Sequence, residues 1–406
     1  MVLIIKKMDL NKFISKNITN RTISMFENDI KANIVELSQK INDKTVLVIG
    51  GAGTIGSSYI HSLLRFKPKS LVVVDINENG LTELTRDLRS SKDLFVPNDY
   101  VTYPMSYADP VFYKMFKYRN GFDIIANFSA HKHVRSEKDK FSIEALLNNN
   151  LINAKGLLDL LLEYPPKNFF CVSTDKAANP VNIMGGSKKI MEDMIMTYSN
   201  KFPVTTARFA NVAFSNGSLP AGFLERISKN QPLSAPKDIT RYFVSPQESG
   251  QICLLACIIG NSGEIYFPKL KKEQVMTFSE IALKLLEQHN FKIELCNSEK
   301  EAIDKAKNIV TGSYPVYFSN SETTGEKPYE EFYTDEEQID LDRYNALGVV
   351  INTIPKSLSE INNLFVLLKS SFENSETSKE DILLIMKNFL VNFDHKETGK
   401  SLDSKM

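Results

Sequence analysis

Three features of the chain predict an α/β fold built on a doubly wound parallel sheet. A glycine-rich segment, Gly50-Gly-Ala-Gly53-Thr-Ile-Gly56, follows one β-rich run and opens a helical stretch. From Lys44 onward short β-rich runs alternate with longer helical stretches, the pattern of a sheet covered on both faces. The chain has 406 residues and 42% hydrophobic content, enough to bury a large core. A smaller C-terminal substrate lobe and helical extensions at both ends complete the expected architecture.

Residues 1–43 are polar with a helical stripe of Met25, Phe26, Ile30, Ile34, Leu37 and Ile41, which predicts a helical N-terminal arm. Residues 44–210 form the expected nucleotide-binding domain, with strands over Thr45–Ile49, Leu71–Val74, Phe122–Ala126, Phe169–Val172 and Val204–Ala207. Sheets of this kind take ligands at the carboxyl ends of their strands. Beyond Asn211 the alternation loosens, so residues 211–353 are read as the substrate lobe. That lobe includes Thr277-Phe-Ser-Glu280, a capping-box pattern directly before the apolar stretch Ile281–Leu286. Residues 354–406 read as two amphipathic helices separated by the polar stretch Glu373–Glu380, with Ser378 and Asp381 spaced to cap the second.

Lys+Arg and Asp+Glu both number 49, so no overall field gathers nucleic acid or an anionic membrane, and any phosphate site must be local. Four cysteines, Cys171, Cys253, Cys257 and Cys296, show neither a disulfide framework nor paired metal-ligand spacing. Cys253 and Cys257 sit in a helical apolar run and read as core. The apolar run Val2–Ile5 is too brief for a signal peptide, and nothing approaches the roughly 20 apolar residues of a membrane span. A soluble, cytoplasmic protein is expected, and the apolar stripes at both ends predict packing on the core or in a homo-oligomer.

The glycines stand where a backbone must turn tightly and approach a pyrophosphate. Asp75 ends the second strand, 19 residues after Gly56, where a carboxylate accepts hydrogen bonds from ribose hydroxyls; this favours NAD over NADP. Arg86 and Arg89 on the following helix stand near a 2′-phosphate position, but a solvated helix face is their commoner reading. The Gly-x-x-Gly-x-x-Gly spacing itself resembles the extended short-chain dehydrogenases, a Rossmann-fold group.

Two further segments carry a closer resemblance: Ala130-His-Lys-His-Val134, and Ser173-Thr-Asp-Lys-Ala-Ala-Asn-Pro-Val-Asn-Ile-Met-Gly-Gly-Ser-Lys188. With Ala207-Arg-Phe-Ala-Asn-Val212, Gly217-Ser-Leu-Pro220, Thr240-Arg-Tyr-Phe243 and Gly325-Glu-Lys-Pro-Tyr-Glu-Glu331, they resemble the UDP-N-acetylglucosamine 4,6-dehydratase family across residues 44 to 335. Two departures stand out. Met184 occupies the position of the short-chain dehydrogenase tyrosine, and Asn216 stands where many relatives carry arginine. A subgroup of the family also has methionine there, which by resemblance points to retention at C5. The chain also looks like a free-standing version without the membrane helices of the long family members.

The resemblance implies a lyase reaction on a nucleotide sugar: hydride leaves C4 for NAD, water is lost across C5 and C6, and the hydride returns to C6. Elimination needs a base at C5 and an acid at the C6 hydroxyl, which assigns Lys176 as base and Asp175 as acid. An unperturbed lysine titrates near ~10.4 and an aspartate near ~3.9, so both must be shifted toward neutrality. Thr174 is expected at the C4 hydroxyl and Lys188 at the nicotinamide ribose, with a water held between them doing the work of the missing tyrosine. Gly50, Gly53, Thr54, Ile55, Gly56, Asp75, Ser129 and Ala130 are expected around the cofactor. By resemblance Lys132, His133 and Glu137 lie near the substrate, and Asn211 and Arg241 contact its nucleotide half; a planar guanidinium suits a diphosphate. His131 and His133 lack an evident third ligand, so no metal is expected. Two other functions remain open on the sequence: an epimerase of the same fold, and a non-catalytic NAD-binding regulatory protein.

Overall fold

The computed structural model describes residues 8–133, 137–307, 309, 313–321 and 330–395; Val134, positions 325–329 of the Gly325–Glu331 segment, and 396–406 lie outside the described residues. Six parallel strands form the body of the main sheet: β1 (Thr45–Ile49), β2 (Ser70–Asp75), β3 (Asp99–Pro104), β4 (Ile124–Asn127), β5 (Asn168–Val172) and β6 (Val204–Ala207). Their spatial order is β3-β2-β1-β4-β5-β6. The order reverses between β1 and β4, which opens a crevice at the carboxyl ends of those two strands. The inner strands are apolar along their whole length because helices cover both faces; Val46 to Ile49 and Leu71 to Val74 are all buried.

The remaining strands are β7 (Asn211–Val212), β8 (Leu233–Pro236), β9 (Thr240–Val244), β10 (Glu264–Pro268), β11 (Val275–Thr277), β12 (Lys292–Leu295), β13 (Ser313–Ser319), β14 (Ile339–Asp340) and β15 (Leu347–Val350). β10 extends the main sheet parallel to β6, and β15 and β14 follow antiparallel, giving nine strands among the described residues. The segment after Asn211 therefore does not stand apart from the main sheet. Its other strands form two small sheets, β11-β9-β7 and β12-β13-β8. Strand β3 has no counterpart in the sequence reading for a physical reason. It is an edge strand, its residues are half-buried or exposed, and Asp-Tyr-Val-Thr-Tyr-Pro carries no apolar run.

One face of the sheet is packed by Pro110–Tyr118, Lys140–Leu147, Asn153–Glu163 and Ile183–Met196; the other by Ile34–Ile41, Thr54–Leu64, Glu78–Ser90 and Pro246–Ile259. Cys253 and Cys257 are buried on the last of these, as core residues. The expected stripe of the N-terminal arm is split at Asn33 between the helices Glu27–Ala32 and Ile34–Ile41. The break turns Ile34 outward, 47% exposed, while Phe26, Ile30, Leu37 and Ile41 enter the core. The arm is bound by charge as well: Arg21 Nε lies 2.7 Å from Glu248 Oε1, and Asp29 accepts the backbone N–H groups of Asn345 and Ala346.

Thr277 caps the helix Phe278–Gln288 with Glu280 reaching back, and Ser378 and Asp381 do the same for Lys379–Phe389. The second tail helix and its partner Leu358–Glu373 bury Ile361, Leu364, Phe365, Leu368, Ile382 and Met386 on the core that surrounds Ile183–Met196. Among the described residues no helix is long and apolar enough to cross a membrane.

Candidate active site

Gly50 leaves β1 with φ +75°, and a Cβ there would fall 2.7 Å from the backbone nitrogen of Ser129. Only glycine lets the loop after β1 press against the loop after β4. Gly53 is the N-cap of the helix Thr54–Leu64, whose first turn ends in the switch-point crevice, and Gly56 packs on the carbonyl of Gly50. Asp75, at the end of β2, accepts the N–H of Ala52 (3.0 Å) and of Asn77 (2.9 Å), so its carboxylate is fixed beside the glycine turn with lone pairs to spare. These residues form a backbone-lined cradle that fits a dinucleotide pyrophosphate with a ribose at Asp75. Thr54 is engaged differently: its hydroxyl accepts the N–H of Asn216 at 2.9 Å. Arg86 pairs with Glu83, and Arg89 lies over the ring of Tyr100.

The turn after β5 is built from side chains instead. Thr174 Oγ1 donates to Asp175 Oδ1 at 2.6 Å, and Lys176 Nζ lies 3.2 Å from both carboxylate oxygens of Asp175. Burial by itself would raise the Asp175 carboxyl, but Lys176, the Thr174 hydroxyl and Arg241 outweigh it and hold the group below the usual carboxylate range. Lys188, on the helix Ile183–Met196, donates to the carbonyl of Val172 at 2.6 Å, and burial lowers its ammonium from the ordinary lysine value. Below this turn Ser173 donates to Glu192, which is clamped by the fully buried Arg208; Arg208 also holds Glu337.

A cavity of about 710 Å³ has Ile55, Ala130, Lys132, His133, Thr174, Asp175, Lys176, Met184, Lys188 and Asn211 in its lining. Its volume suits a small-molecule site. Gly50, Gly53, Thr54, Gly56, Asp75 and Ser129 stand outside that lining, at the cradle. Lys132 reaches the carbonyl of Asn216 at 2.9 Å, and burial lowers its ammonium from the ordinary value.

Two expected substrate contacts are placed elsewhere. Glu137 turns away from the cavity: its Oε1 accepts the N–H of Met184 at 2.9 Å, because the first turn of a helix leaves its N–H groups without internal partners. Arg241 is buried, with Nε 3.6 Å from Glu330 Oε1, and stands outside the cavity lining. Glu330 is the residue the sequence reading missed. It accepts from Asn211 Nδ2 and the N–H of Tyr242, and lies 3.9 Å from Lys176 Nζ. Burial, with the charge of Asp175 beside it, pushes its carboxyl up to about 8. Its only signal was membership of the Gly325–Glu331 segment, and nothing in local periodicity points that segment at Asp175. The far end of the cavity, with Arg226, Ser319, Asn320 and Ser321, was missed for the same reason.

The family model for polysaccharide biosynthesis proteins matches residues 46–351, about three quarters of the chain. The chain belongs to this family. Among the family's neighbours, CapD, the capsular polysaccharide biosynthesis protein of Staphylococcus aureus, is 25% identical over 75% of this chain and 50% of its own length. The uncharacterized membrane protein MJ1061 of Methanocaldococcus jannaschii is 29% identical over 78% of this chain and 88% of its own. The chain thus spans half of CapD but most of MJ1061. The X-ray structure of Pen from Bacillus thuringiensis superposes with a TM-score of 0.62 at 21% identity, covering 81% of this chain and 98% of Pen. Chains of the same fold at TM-scores of 0.51 and 0.52 include a UDP-glucose 4-epimerase from Thermotoga maritima and the dTDP-glucose 4,6-dehydratase DesIV from Streptomyces venezuelae. Each is 17% identical, covering 72% of this chain and 90% of the first, 71% and 87% for the second, and shows the extended short-chain dehydrogenase fold.

Proposed function

We propose that this polysaccharide-biosynthesis protein is an NAD-dependent nucleotide-sugar 4,6-dehydratase, acting on UDP-N-acetylglucosamine or its GDP-linked equivalent with retention at C5. The observation that carries the reading is the Asp175–Lys176 pair, 3.2 Å apart and facing one cavity with Lys188 and Met184. Elimination asks for an acid and a base side by side, whereas simple 4-epimerisation does not.

The glycine turn, Asp75, Ser129 and Ala130 would hold NAD, with Lys188 at its nicotinamide ribose; bound there, it supplies the reversible hydride storage the reaction needs. In the resting site Asp175 is a carboxylate, which makes it an acid only after a proton arrives. Lys176 is the donor in reach. Transfer of one proton from the Lys176 ammonium to Asp175 yields an amine and a carboxylic acid together, readying the base for C5 and the acid for the C6 hydroxyl. A bound substrate that excludes water from the cavity would raise the cost of the charge pair and drive this exchange. Met184 cannot ionise, so the C4 hydroxyl would pass its proton through a water held by Thr174 to the neutral amine of Lys188, whose ammonium is weakened by burial. Lys132, His133 and Asn211 would line the sugar side, and Arg226, which also lines the cavity, would offer a cation to the nucleotide diphosphate.

Incubation with a panel of UDP- and GDP-linked sugars, read by mass spectrometry, tests the reading. A product lighter by one water is expected. An isomer of unchanged mass would indicate an epimerase, and no turnover on any sugar a binding protein.

A further inference from the structure

The first turn of the helix Ile183–Met196 carries two consecutive glycines that meet different neighbours. A Cβ on Gly185 would fall 2.6 Å from the carbonyl oxygen of Lys176, so the first turn of the helix rests directly on the backbone of the catalytic turn. A Cβ on Gly186 would fall 2.9 Å from Met386 Cε and 3.3 Å from the ring of Phe393, so the same turn rests on the C-terminal tail. Directly before them Met184 lines the cavity, its N–H held by Glu137 Oε1. The tail also grips Glu137 itself: Lys379 Nζ lies 3.4 Å from the Glu137 carbonyl, and Lys140 beside it donates to the carbonyl of Ser375.

The other carboxylate oxygen of Glu137 faces His395 Nε2 at 3.7 Å. Both side chains are nearly fully buried, and neither atom has a hydrogen-bond partner among the described residues. Two buried polar atoms with only each other to turn to are costly apart and favourable together, and the separation is less than 1 Å beyond a normal hydrogen bond.

We propose that His395 is a positioning residue. Through Glu137 it fixes the first turn of the helix Ile183–Met196, and through Gly185 that turn fixes Lys176, so the C-terminal tail is a working part of the active site although it lines none of the cavity. The proposal rests on the dehydratase reading for its kinetic consequence and on geometry alone for its structural one.

The test is hydrogen exchange of the full chain, wild type against His395→Ala and His395→Gln, with steady-state kinetics on the nucleotide sugar that wild type dehydrates. In His395→Ala, amides of residues 182–188 should exchange faster while those of 45–64 keep wild-type protection. Turnover should fall roughly 10- to 100-fold, the scale of a sub-ångström to 1 Å misplacement, with KM and NAD affinity nearly unchanged. Glutamine, which can offer an N–H to Glu137, should restore at least half of both the protection and the turnover. Phe393→Leu, which trims the contact on Gly186 and the edge-on ring contact with His395 while leaving both polar groups in place, should give a weaker version of the same pattern if His395→Ala fails to fold. Unchanged exchange at 182–188, or equal acceleration at 45–64, overturns the proposal. If wild type dehydrates nothing, the functional reading fails, and the exchange data still decide whether the tail holds the helix.

Discussion

At the glycine turn the chain prepares its site with backbone: a left-handed Gly50, a helix N-terminus, and one carboxylate, Asp75, satisfied by two N–H groups. Seven residues of continuous sequence and one strand end do nearly all the work. Around β5 the site is prepared with ionisable side chains, buried but for the half-buried Lys176: Asp175, Lys176, Lys188, Arg208, Glu192, Arg241 and Glu330 converge from five separate stretches. Backbone sites are cheap to keep, since each group is a dipole already paired. Charge clusters hold only as complete sets, because a buried ion stripped of its partner is costly. The two regions should therefore respond to mutation in different currencies, binding at the first, turnover and stability at the second.

The largest expected effect separates them outright. Lys176→Met and Asp175→Asn should each lower dehydration by roughly 10²- to 10⁴-fold, the usual loss for a positioned acid or base. NAD affinity, measured by fluorescence titration, should stay within a few fold of wild type; a matched loss of binding would merge the two regions into one.

Next comes Arg208→Met, which leaves Glu192 and Glu337 without their cation. Unfolding in urea should show a loss of about 3–5 kcal/mol. A loss no larger than that of an exposed pair, about 1 kcal/mol or less, would mean the charge cluster is not a closed set.

Glu330 gives the comparison a pH axis. Its carboxyl sits near 8 in the folded chain against an ordinary 4.5, so the folded state holds a proton the unfolded state has lost. Stability contributed by that proton is present at low pH and is lost as pH rises from about 4.5 to about 8. Urea midpoints of Glu330→Gln at pH 5, 6.5 and 8 should therefore fall less with pH than those of wild type. Parallel curves would contradict the shift. The smallest effect belongs to the backbone site: Asp75→Asn should weaken NAD by about 1 kcal/mol, roughly fivefold, and narrow its preference over NADP. An unchanged ratio of the two dissociation constants would remove Asp75 from the ribose.

The same contrast explains what the sequence revealed. β1, β2, β5 and β6 and the glycine turn were legible because each is short, contiguous and apolar or glycine-rich for local reasons. The Thr174-Asp-Lys176 turn was legible as a motif, and its neighbours on Ile183–Met196 with it. Glu330 was not, since its meaning depends on a chain reversal more than 150 residues after Asp175, and no periodicity encodes that meeting. Glu137 was misplaced because a motif reports proximity to a site without saying which side of the helix wall a side chain takes. β3 and β14 were missed at the two edges of the main sheet, where strands need less apolar sequence to be held, and the fully buried β10 and β15 because they follow Asn211, where the regular strand–helix alternation loosens.

The central claim is that Lys176 takes a proton from C5 while water leaves across C5 and C6. Running the reaction in heavy water tests it most directly. The product should be lighter by one water and carry deuterium at C5, because the proton removed there exchanges before C5 is reprotonated, and Lys176→Met should make no such product. A wild-type product unlabelled at C5, or a Lys176→Met variant turning over near wild-type speed, would contradict the account and move the base to Lys188 or a bound water.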